Sequence, residues 1–257
     1  MEIIVNTKSR AYPVFLDSGS APNLGAYLNA KFKGRKCVLV TNDTLAHIYS
    51  DYINKLTKET GCIVHTVPDG EKYKTVETWN GILDTLISHR LDRSSYLIAF
   101  GGGVVGDMTG FAAACFMRGV DYIQVPTTLL AMVDSSVGGK TAVDHPLGKN
   151  LIGAFHQPAA VWIDVGFLKT LPRCQFIAGY AEVFKYAFIG KAEMFTFIMD
   201  NKDAILRSEP KTLMESIERS IRIKADIVGK DERETGARAL LNFGHTFAHA
   251  FEHFYGF

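Results

Sequence analysis

The feature that most constrains this chain is a change of pattern near residue 171. Before that point, short apolar runs rich in β-branched residues alternate with segments whose apolar residues recur at helical spacing. The predicted strands are 36–41, 62–67, 95–100, 121–126 and 161–165, and the predicted helices between them are 43–59, 73–90 and 103–117. Strands that alternate with helices favour a parallel sheet with helices on both faces.

A hairpin and a helical half complete the predicted architecture. The runs EIIV and YPVFL at the start are joined by a short polar link, which indicates two paired strands added to the sheet. From Arg173 onward the pattern is helical only, with helices predicted at 173–189, 191–206, 210–230 and 237–254. We therefore expect a Rossmann-like α/β domain with a mostly parallel sheet over residues 1–171, and an all-α domain over residues 172–257.

The charge balance, the apolar runs and the cysteines indicate which partners and which compartment to expect. The 257 residues carry 28 basic and 27 acidic side chains, which gives no reason to expect nucleic acid or an anionic membrane. No apolar run reaches the length of a membrane span, and the first residues lack the order of a signal peptide. The four cysteines are far apart without a C-x-x-C pair, which indicates reduced thiols in a cytoplasmic protein.

A run of glycines follows one predicted strand and opens a helix. Gly101, Gly103 and Gly106 have the spacing G-x-G-x-x-G, and glycines there let the backbone approach a pyrophosphate bound by helix N–H groups. However, the loop follows the third alternating strand rather than the first, and the acidic residue about twenty positions on, Asp121, begins a strand. A tight turn that needs glycine only for packing is therefore an equal alternative.

Three histidines lie in the last segment, LLNFGHTFAHAFEHFYGF. His245, His249 and His253 are four residues apart, so on a helix they form one stripe. The spacing alone leaves three interpretations open, namely a metal site, a substrate site and an ordinary amphipathic helix.

Several segments taken together resemble the 3-dehydroquinate synthase family. They are DGEKYKT, the block from FGGGVVGD to NLIGAFHQP, AGYAEVFKYAFIG, IKADIV and DERETGARALLNFGHTFAHAFE. The resemblance implies a lyase dependent on NAD and on Zn²⁺ or Co²⁺. Its reaction would convert 3-deoxy-D-arabino-heptulosonate 7-phosphate into 3-dehydroquinate and phosphate, in the shikimate pathway to chorismate and the aromatic amino acids. NAD⁺ would transiently oxidise a ring hydroxyl before phosphate elimination, return of the hydride and aldol closure.

The resemblance also implies a cofactor site assembled from distant segments. Glu71 and Lys74 would form the polar pair at the ribose, and Asn42 would lie on the adenine side. The cofactor residues implied in full are Asn42, Asp69, Gly70, Glu71, Lys72, Tyr73, Lys74, Gly103, Val104, Val105, Gly106, Asp107, Thr127, Thr128, Lys140, Lys149, Phe167, Leu168, Lys169 and Thr170.

A substrate with a carboxylate and a phosphate requires several fixed cationic donors. By resemblance, Lys140 and Asn150 are phosphate contacts, and Arg118 reaches across the interface of an expected homodimer. The implied residues on the carboxylate side are Lys224, Arg238 and Asn242, and the implied catalytic residues are Asp134, Lys140, Lys185 and His249, of which His249 also meets the substrate.

The implied metal ligands are Glu182 and His245. A carboxylate with imidazoles forms a zinc site that leaves one position open for substrate. The family pattern has a third ligand, a histidine in an HGE motif, which we expect beyond Phe257. His253 matches no family site, and we interpret it as a partly exposed helix residue. On these grounds we expect a C-terminally truncated synthase whose 257-residue form has little activity.

Two other functions stay open at this point. One is a sister sugar-phosphate cyclase of the inosose or valiolone kind or, more distantly, a metal-dependent alcohol dehydrogenase. The other is a non-catalytic NAD-binding remnant, which only the missing third ligand favours. The segment NFGHTFAH together with Lys224 and Arg238 favours the synthase, because a carboxylate-bearing substrate needs these cations.

Overall fold

The structure is a computed structural model that describes residues 1–244, 251 and 254. Nine strands lie in the described part of the chain. They are β1 (Glu2–Asn6), β2 (Ala11–Asp17), β3 (Cys37–Asn42), β4 (Ile63–Val67), β5 (Tyr96–Gly101), β6 (Asp121–Pro126), β7 (Lys140–His145), β8 (Gly148–Phe155) and β9 (Ala160–Asp164). Seven of them form one sheet in the order β1-β2-β9-β6-β5-β3-β4, and β7 and β8 pair separately.

The helices of the described part precede, separate and follow these strands. They are α1 (Leu24–Lys31), α2 (Asp43–Ile48), α3 (Ser50–Thr60), α4 (Val76–Ser88), α5 (Gly103–Cys115), α6 (Arg173–Ile189), α7 (Ala192–Leu206) and α8 (Pro210–Lys230). Short 3₁₀ turns occupy Ala21–Asn23, Glu71–Tyr73, Phe116–Arg118, Val165–Thr170 and Ala237–Asn242, and a π-helical turn occupies Ala131–Ser135. None of the described helices is both long enough and apolar enough to cross a membrane.

The predicted fold class is confirmed. Every pairing within the large sheet is parallel except that of β1 with β2, which form the predicted N-terminal hairpin. β2 then pairs with β9, so the hairpin lies beside the last strand of the sheet, with Leu16 opposite Ile163. The Asp164 carboxylate fixes this junction, because it accepts hydrogen bonds from the backbone N–H groups of Gly19 at 2.9 Å and Ala21 at 2.7 Å.

Two differences from the predicted elements concern helix 43–59 and the segment after residue 139. The predicted helix is interrupted at Tyr49, which ends α2 and precedes α3. The hairpin of β7 and β8 was not predicted, and it pairs in antiparallel register from Lys140 opposite Phe155 to His145 opposite Gly148. Most of β8 is exposed or half-buried, so its sequence lacks the apolar alternation by which a half-buried strand is recognised.

The core lies on both faces of the large sheet. Val38 and Val40 of β3 face one cluster of buried apolar residues, and Leu39 between them faces the other, as the alternation of a strand requires. The larger cluster also contains Val183 and Ile217 from the helical half. The two halves on either side of residue 171 therefore share one apolar core. The proposed boundary there remains a prediction.

Candidate active site

The largest group of predicted cofactor residues lines one cleft of about 620 Å³, which we call the cofactor cleft. It opens at the carboxyl ends of β3, β5 and β6, between neighbouring strands where the chain order reverses. Such a reversal is where open α/β sheets bind ligands. The predicted cofactor residues that line it are Asn42, Asp69, Gly70, Glu71, Lys74, Gly103, Val104, Val105, Asp107, Thr127, Thr128 and Thr170.

The remaining predicted cofactor residues in the described chain do not line this cleft. They are Lys72, Tyr73, Gly106, Lys140, Lys149, Phe167, Leu168 and Lys169. Phe167 and Leu168 are buried in the core, where Phe167 packs edge-on against Phe100 and Tyr49. Lys72, Lys149 and Lys169 are exposed. Their proposed contact with a cofactor remains a prediction.

The glycine loop brings the backbone of α5 to the cleft without an intervening side chain. Gly102 is the cap residue of α5, and no side chain caps this helix end. A Cβ atom at Gly102 would lie 3.0 Å from the Thr128 side chain, and one at Gly106 would lie 2.6 Å from Gln124 Oε1. Gly106 therefore serves close packing against β6, while Gly102 and Gly103 leave the N–H groups of the helix open to the cleft. Close packing accounts for Gly106, and binding of a pyrophosphate beside Gly102 and Gly103 remains a prediction.

A buried lysine forms one wall of the cofactor cleft. Lys74 Nζ donates to Asp107 Oδ2 at 2.6 Å and to Asn150 Oδ1 at 2.6 Å. Burial by itself lowers the pKa of Lys74, but the charge and hydrogen bond of Asp107 outweigh it and raise this pKa above its ordinary value. Lys74 is therefore a fixed cation that orders Asp107, and it ties the cleft to Asn150 of β8.

Asn42 has a structural task that the sequence did not reveal. Its side-chain oxygen accepts from the Leu45 N–H at 2.8 Å and so caps α2, and its Nδ2 donates to Asp69 Oδ1 at 2.7 Å. One side chain thus positions the start of a helix and the 68–71 loop on opposite walls of the cleft.

A second group of polar side chains lies beside the cofactor cleft, and we call it the Asp134 cluster. It consists of Asp134 from the π-helical turn, Glu182, Lys185 and Tyr186 from α6, and Lys224 from α8. Lys224 Nζ donates to Asp134 Oδ1 at 2.8 Å and to the Asp134 carbonyl at 2.7 Å. Lys185 Nζ lies 3.8 Å from the same Oδ1 and also pairs with Glu182.

Charged neighbours keep the Asp134 carboxylate of this cluster ionised. Burial opposes a charge on Asp134, but Lys224, Lys185 and the hydrogen bonds outweigh it and hold the pKa of this carboxyl well below its usual range. Burial lowers the pKa of Lys224, while the Asp134 charge and hydrogen bond oppose that shift. The cluster joins the cleft directly, because Ser135, which follows Asp134, lines the cleft.

Arg238 is almost completely buried, whereas a residue that binds substrate in an open pocket is partly exposed. It is 1% exposed, its Nη2 donates to the Gly138 carbonyl at 3.0 Å, and its Nη1 donates to the Glu232 carbonyl. Gly138 adopts φ +99°, and a Cβ there would lie 2.7 Å from Arg238 Nη2. Arg238 therefore fixes the 138–139 loop that precedes Lys140. Its proposed contact with a substrate carboxylate remains a prediction.

The other predicted substrate residues occupy exposed positions. Lys140 pairs with Glu234, and Asn242 Nδ2 donates to the other oxygen of the same carboxylate. Arg118 is exposed and ends a 3₁₀ turn with φ 66°. Asn150 adopts φ 57° on β8 and contacts Lys74.

The predicted metal site is only partly within the described residues. Glu182 is half-buried and lies beside Lys185, where a carboxylate could serve as a ligand. His245, His249 and His253 lie outside the described residues. Among the residues that the structure describes, no group of three or more His, Cys, Asp or Glu side chains could hold a metal ion.

The sequence did not predict two sets of residues that the structure places at the site. Cys174 and Gln175 from the start of α6 line the cofactor cleft, and their sequence carries no local sign of this. Tyr186 donates a hydrogen bond to Asp134 Oδ1 at 2.9 Å. The spacing from Glu182 could have indicated it, because residues four apart share a helix face.

The fold is similar to that of sugar-phosphate cyclases solved with NAD⁺ bound. A crystal structure of 2-deoxy-scyllo-inosose synthase with carbaglucose-6-phosphate, NAD⁺ and Co²⁺ is 27% identical, with a TM-score of 0.84, over 98% of this chain and 69% of that one. A 2-epi-5-epi-valiolone synthase from Streptomyces hygroscopicus with NAD⁺ and Zn²⁺ is 26% identical, with a TM-score of 0.86, over 95% of this chain and 69% of that one. An iron-containing alcohol dehydrogenase from Thermotoga maritima, 13% identical with a TM-score of 0.66 over 90% of this chain and 69% of that one, shares the fold alone.

The family follows from two sequence matches that adjoin. Residues 64–178 match the 3-dehydroquinate synthase N-terminal region, and residues 179–257 match the 3-dehydroquinate synthase C-terminal region. The chain belongs to the 3-dehydroquinate synthase family, within the sugar-phosphate cyclases.

Proposed function

We propose that this protein is a 3-dehydroquinate synthase, which converts 3-deoxy-D-arabino-heptulosonate 7-phosphate into 3-dehydroquinate and phosphate in the shikimate pathway. The observation that carries the proposal is the placement of two buried cations, Lys185 and Lys224, around Asp134, whose neighbour Ser135 lines the cofactor cleft. A substrate with two anionic groups needs fixed cations close to the hydride acceptor.

The cofactor cleft suits NAD⁺ in its chemistry. The uncapped start of α5 offers N–H groups and positive potential to a pyrophosphate, and the glycines allow the close approach it needs. Glu71 and Asp69 line the same cleft and can accept hydrogen bonds from ribose hydroxyls. The cyclases of similar fold contain NAD⁺ in their crystal structures.

Bound NAD⁺ supplies the transient acceptor for hydride, and a bound divalent metal supplies Lewis acidity at the substrate hydroxyls. Glu182 would hold the metal together with His245, and a carboxylate with an imidazole suits Zn²⁺ or Co²⁺. Lys185 lies against Glu182 and forms an ion pair with this carboxylate.

The side chains of the chain itself would bind and orient the substrate. Lys224 and Lys185 would bind oxygen atoms of the ring end, and Lys140 would bind phosphate at the exposed mouth. Asp134 stays ionised and could accept a hydrogen bond from a substrate hydroxyl through its second oxygen, since its contacts with the described residues fall on Oδ1 and on its carbonyl. Arg238 would act by holding the loop before Lys140.

A second candidate is a sister cyclase whose substrate has no carboxylate. The identities of 27% and 26% with an inosose synthase and a valiolone synthase favour it. The two candidates differ in the charge of the substrate, which makes them separable with one assay.

The test is phosphate release from 3-deoxy-D-arabino-heptulosonate 7-phosphate, with NAD⁺ and either Zn²⁺ or Co²⁺ present. Glucose 6-phosphate, which lacks a carboxylate, serves as the comparison substrate. From the 257-residue chain we expect slow release from the first compound and none from the second. Release from glucose 6-phosphate alone would favour a sister cyclase of the inosose kind, and NAD⁺ binding without release from either compound would contradict the proposal.

We further propose a cytoplasmic homodimer. All four cysteines are free thiols, and Cys115 and Cys174 are exposed, which suits a reducing compartment. Arg118 is exposed at the end of its turn and could reach the site of a second subunit. Sedimentation equilibrium tests the dimer, and a monomer at micromolar concentration would contradict it.

A further inference from the structure

We infer that Tyr186 is a positioning residue of the active site, which fixes the Asp134 carboxylate and, through it, the two lysines that surround it. Tyr186 lies on α6, four residues after Glu182 and next to Lys185, and it is fully buried. Its role rests on the proposed function of the site, although the contact itself can be tested without any turnover.

The hydroxyl of Tyr186 has a choice of two acceptors. It lies 2.9 Å from Asp134 Oδ1 and 3.2 Å from the Val133 carbonyl. A tyrosine hydroxyl has a single hydrogen to donate, and an ionised carboxylate is a stronger acceptor than a backbone carbonyl. The hydrogen bond therefore goes to Asp134. Burial and the nearby Asp134 charge raise the pKa of Tyr186 well above its ordinary value, so the hydrogen stays in place.

The donors around Asp134 meet on one oxygen. Tyr186 and Lys224 both donate to Oδ1, and Lys185 approaches the same atom. Within the described part of the chain, no hydrogen bond or ion pair falls on Oδ2. The Tyr186 hydroxyl and the Lys224 ammonium, which come from two helices, thus orient the carboxylate through Oδ1, and the Lys185 ammonium lies 3.8 Å from the same oxygen.

The Asp134 side chain needs hydrogen-bond donors to hold its orientation, because the backbone at this residue is irregular. Asp134 lies in the π-helical turn Ala131–Ser135, and such turns are less regular than α-helix and often occur at functional sites. The two lysines have long flexible side chains, whereas Tyr186 is a rigid ring enclosed by the core. Tyr186 is therefore stiffer than either lysine, and its hydrogen bond restricts rotation of the Asp134 side chain.

If Tyr186 had a purely structural role, removal of its hydroxyl would have a different effect. A buried tyrosine usually finds a partner for its hydroxyl, and loss of that hydroxyl then affects stability alone. Tyr122 is such a residue in this protein, since it is buried and donates to the His156 carbonyl at 3.0 Å. Tyr122→Phe is therefore the matched control for Tyr186→Phe.

The contact is tested by a double-mutant cycle of Tyr186→Phe and Asp134→Asn, measured by urea unfolding of the full chain. We expect the two substitutions to be coupled by about tenfold in the unfolding equilibrium constant, as for a hydrogen bond to a charged group. Additive effects in this cycle would overturn the inference, whatever the enzyme does. Tyr122→Phe with Asp134→Asn should be additive.

The positioning role is tested by the same cycle in phosphate release. We expect Tyr186→Phe to lower kcat by about ten- to a hundredfold, with NAD⁺ affinity unchanged, and to have no further effect in the Asp134→Asn background. Tyr122→Phe should leave kcat unchanged. Wild-type kcat in Tyr186→Phe would overturn the positioning role. Absence of release by the wild-type chain would overturn the proposed function, and the unfolding cycle then decides on Tyr186 by itself.

Discussion

The cofactor cleft and the Asp134 cluster lie side by side, yet they are built in different ways. The cleft is formed by backbone and short side chains at the ends of three neighbouring strands. The cluster is formed by long side chains from a turn near residue 134 and from two helices that begin at Arg173 and Pro210. The cleft thus depends on local turns, whereas the cluster depends on how distant elements pack. The first two of the following changes should each affect one region and spare the other, and the last two concern residues outside both regions.

The largest effect is expected for Lys224→Ala in the cluster. The substitution leaves the half-buried Asp134 carboxylate with the Tyr186 hydroxyl at 2.9 Å and Lys185 at 3.8 Å, and breaking a largely buried ion pair costs roughly 3–5 kcal/mol. We expect a loss of that size in the free energy of unfolding from urea denaturation, with NAD⁺ affinity in calorimetry unchanged. Lys230→Ala, which removes an exposed pair with Asp226, is the control and should change stability little. Loss of NAD⁺ binding in folded Lys224→Ala would show that the two regions are not independent.

Gly103→Val should act on the cleft alone. A Cβ at Gly103 would lie 3.1 Å from Ser135 Oγ, and the added methyl groups would fill the approach to the start of α5. The expected loss in NAD⁺ affinity is about a hundredfold, since one or two charge-assisted hydrogen bonds are worth roughly 1.5–3 kcal/mol each. Gly81→Val in α4, where a Cβ would meet only His65 at 3.8 Å, is the matched control in calorimetry. Equal NAD⁺ affinity in the two variants would refute the assignment of the loop.

Lys140→Ala should weaken substrate binding and leave NAD⁺ binding nearly intact. Lys140 is half-exposed and paired with Glu234, so its removal leaves no buried charge. A charge-assisted contact to phosphate corresponds to about ten- to a hundredfold in affinity. Titration of both ligands into the variant measures the ratio. Equal losses for the two would indicate a general folding defect.

The smallest effect is expected for Asp231→Asn, in the loop 231–238 that also contains Arg238. Hydrogen bonds from the backbone N–H groups of Arg238, Thr235 and Gly236 lower the pKa of Asp231 to about 2. The pKa of an aspartate in the unfolded chain is about 3.9. Because the pKa of Asp231 is lower in the folded protein, this carboxylate contributes stability that is fully present above about pH 5 and is lost as the pH falls towards 2. We expect the difference in stability between wild type and Asp231→Asn to shrink over that range in urea titrations. A difference that does not vary with pH would contradict the hydrogen bonds.

The comparison also explains what the sequence could and could not predict. The strands of the large sheet follow from patterns within short segments, such as the apolar run before Gly101, whereas the cleft residues, such as Glu71, were implied by the resemblance to the family. β8 was missed because its exposed side chains give no apolar alternation. The hydrogen bonds of Tyr186 and the enclosure of Arg238 arise from the packing of α6 and the 231–238 loop against residues 133–138, and no local pattern encodes such contacts. The predicted roles of these residues towards substrate remain to be measured.

The pairing of β2 with β9 sets a condition on the order in which the protein can fold during synthesis. The hairpin of β1 and β2 is synthesised well before its partner strand, which ends at Asp164, so β3 to β8 are all made before the hairpin can join the sheet. Pairings between residues this far apart in sequence slow folding, because the chain between them must first be closed into a loop. Until then Val5, Val14 and Leu16, which are buried in the finished protein, are open to incorrect pairing. Slower translation or lower temperature should therefore raise the yield of folded protein more than it does for proteins whose first strands pair locally.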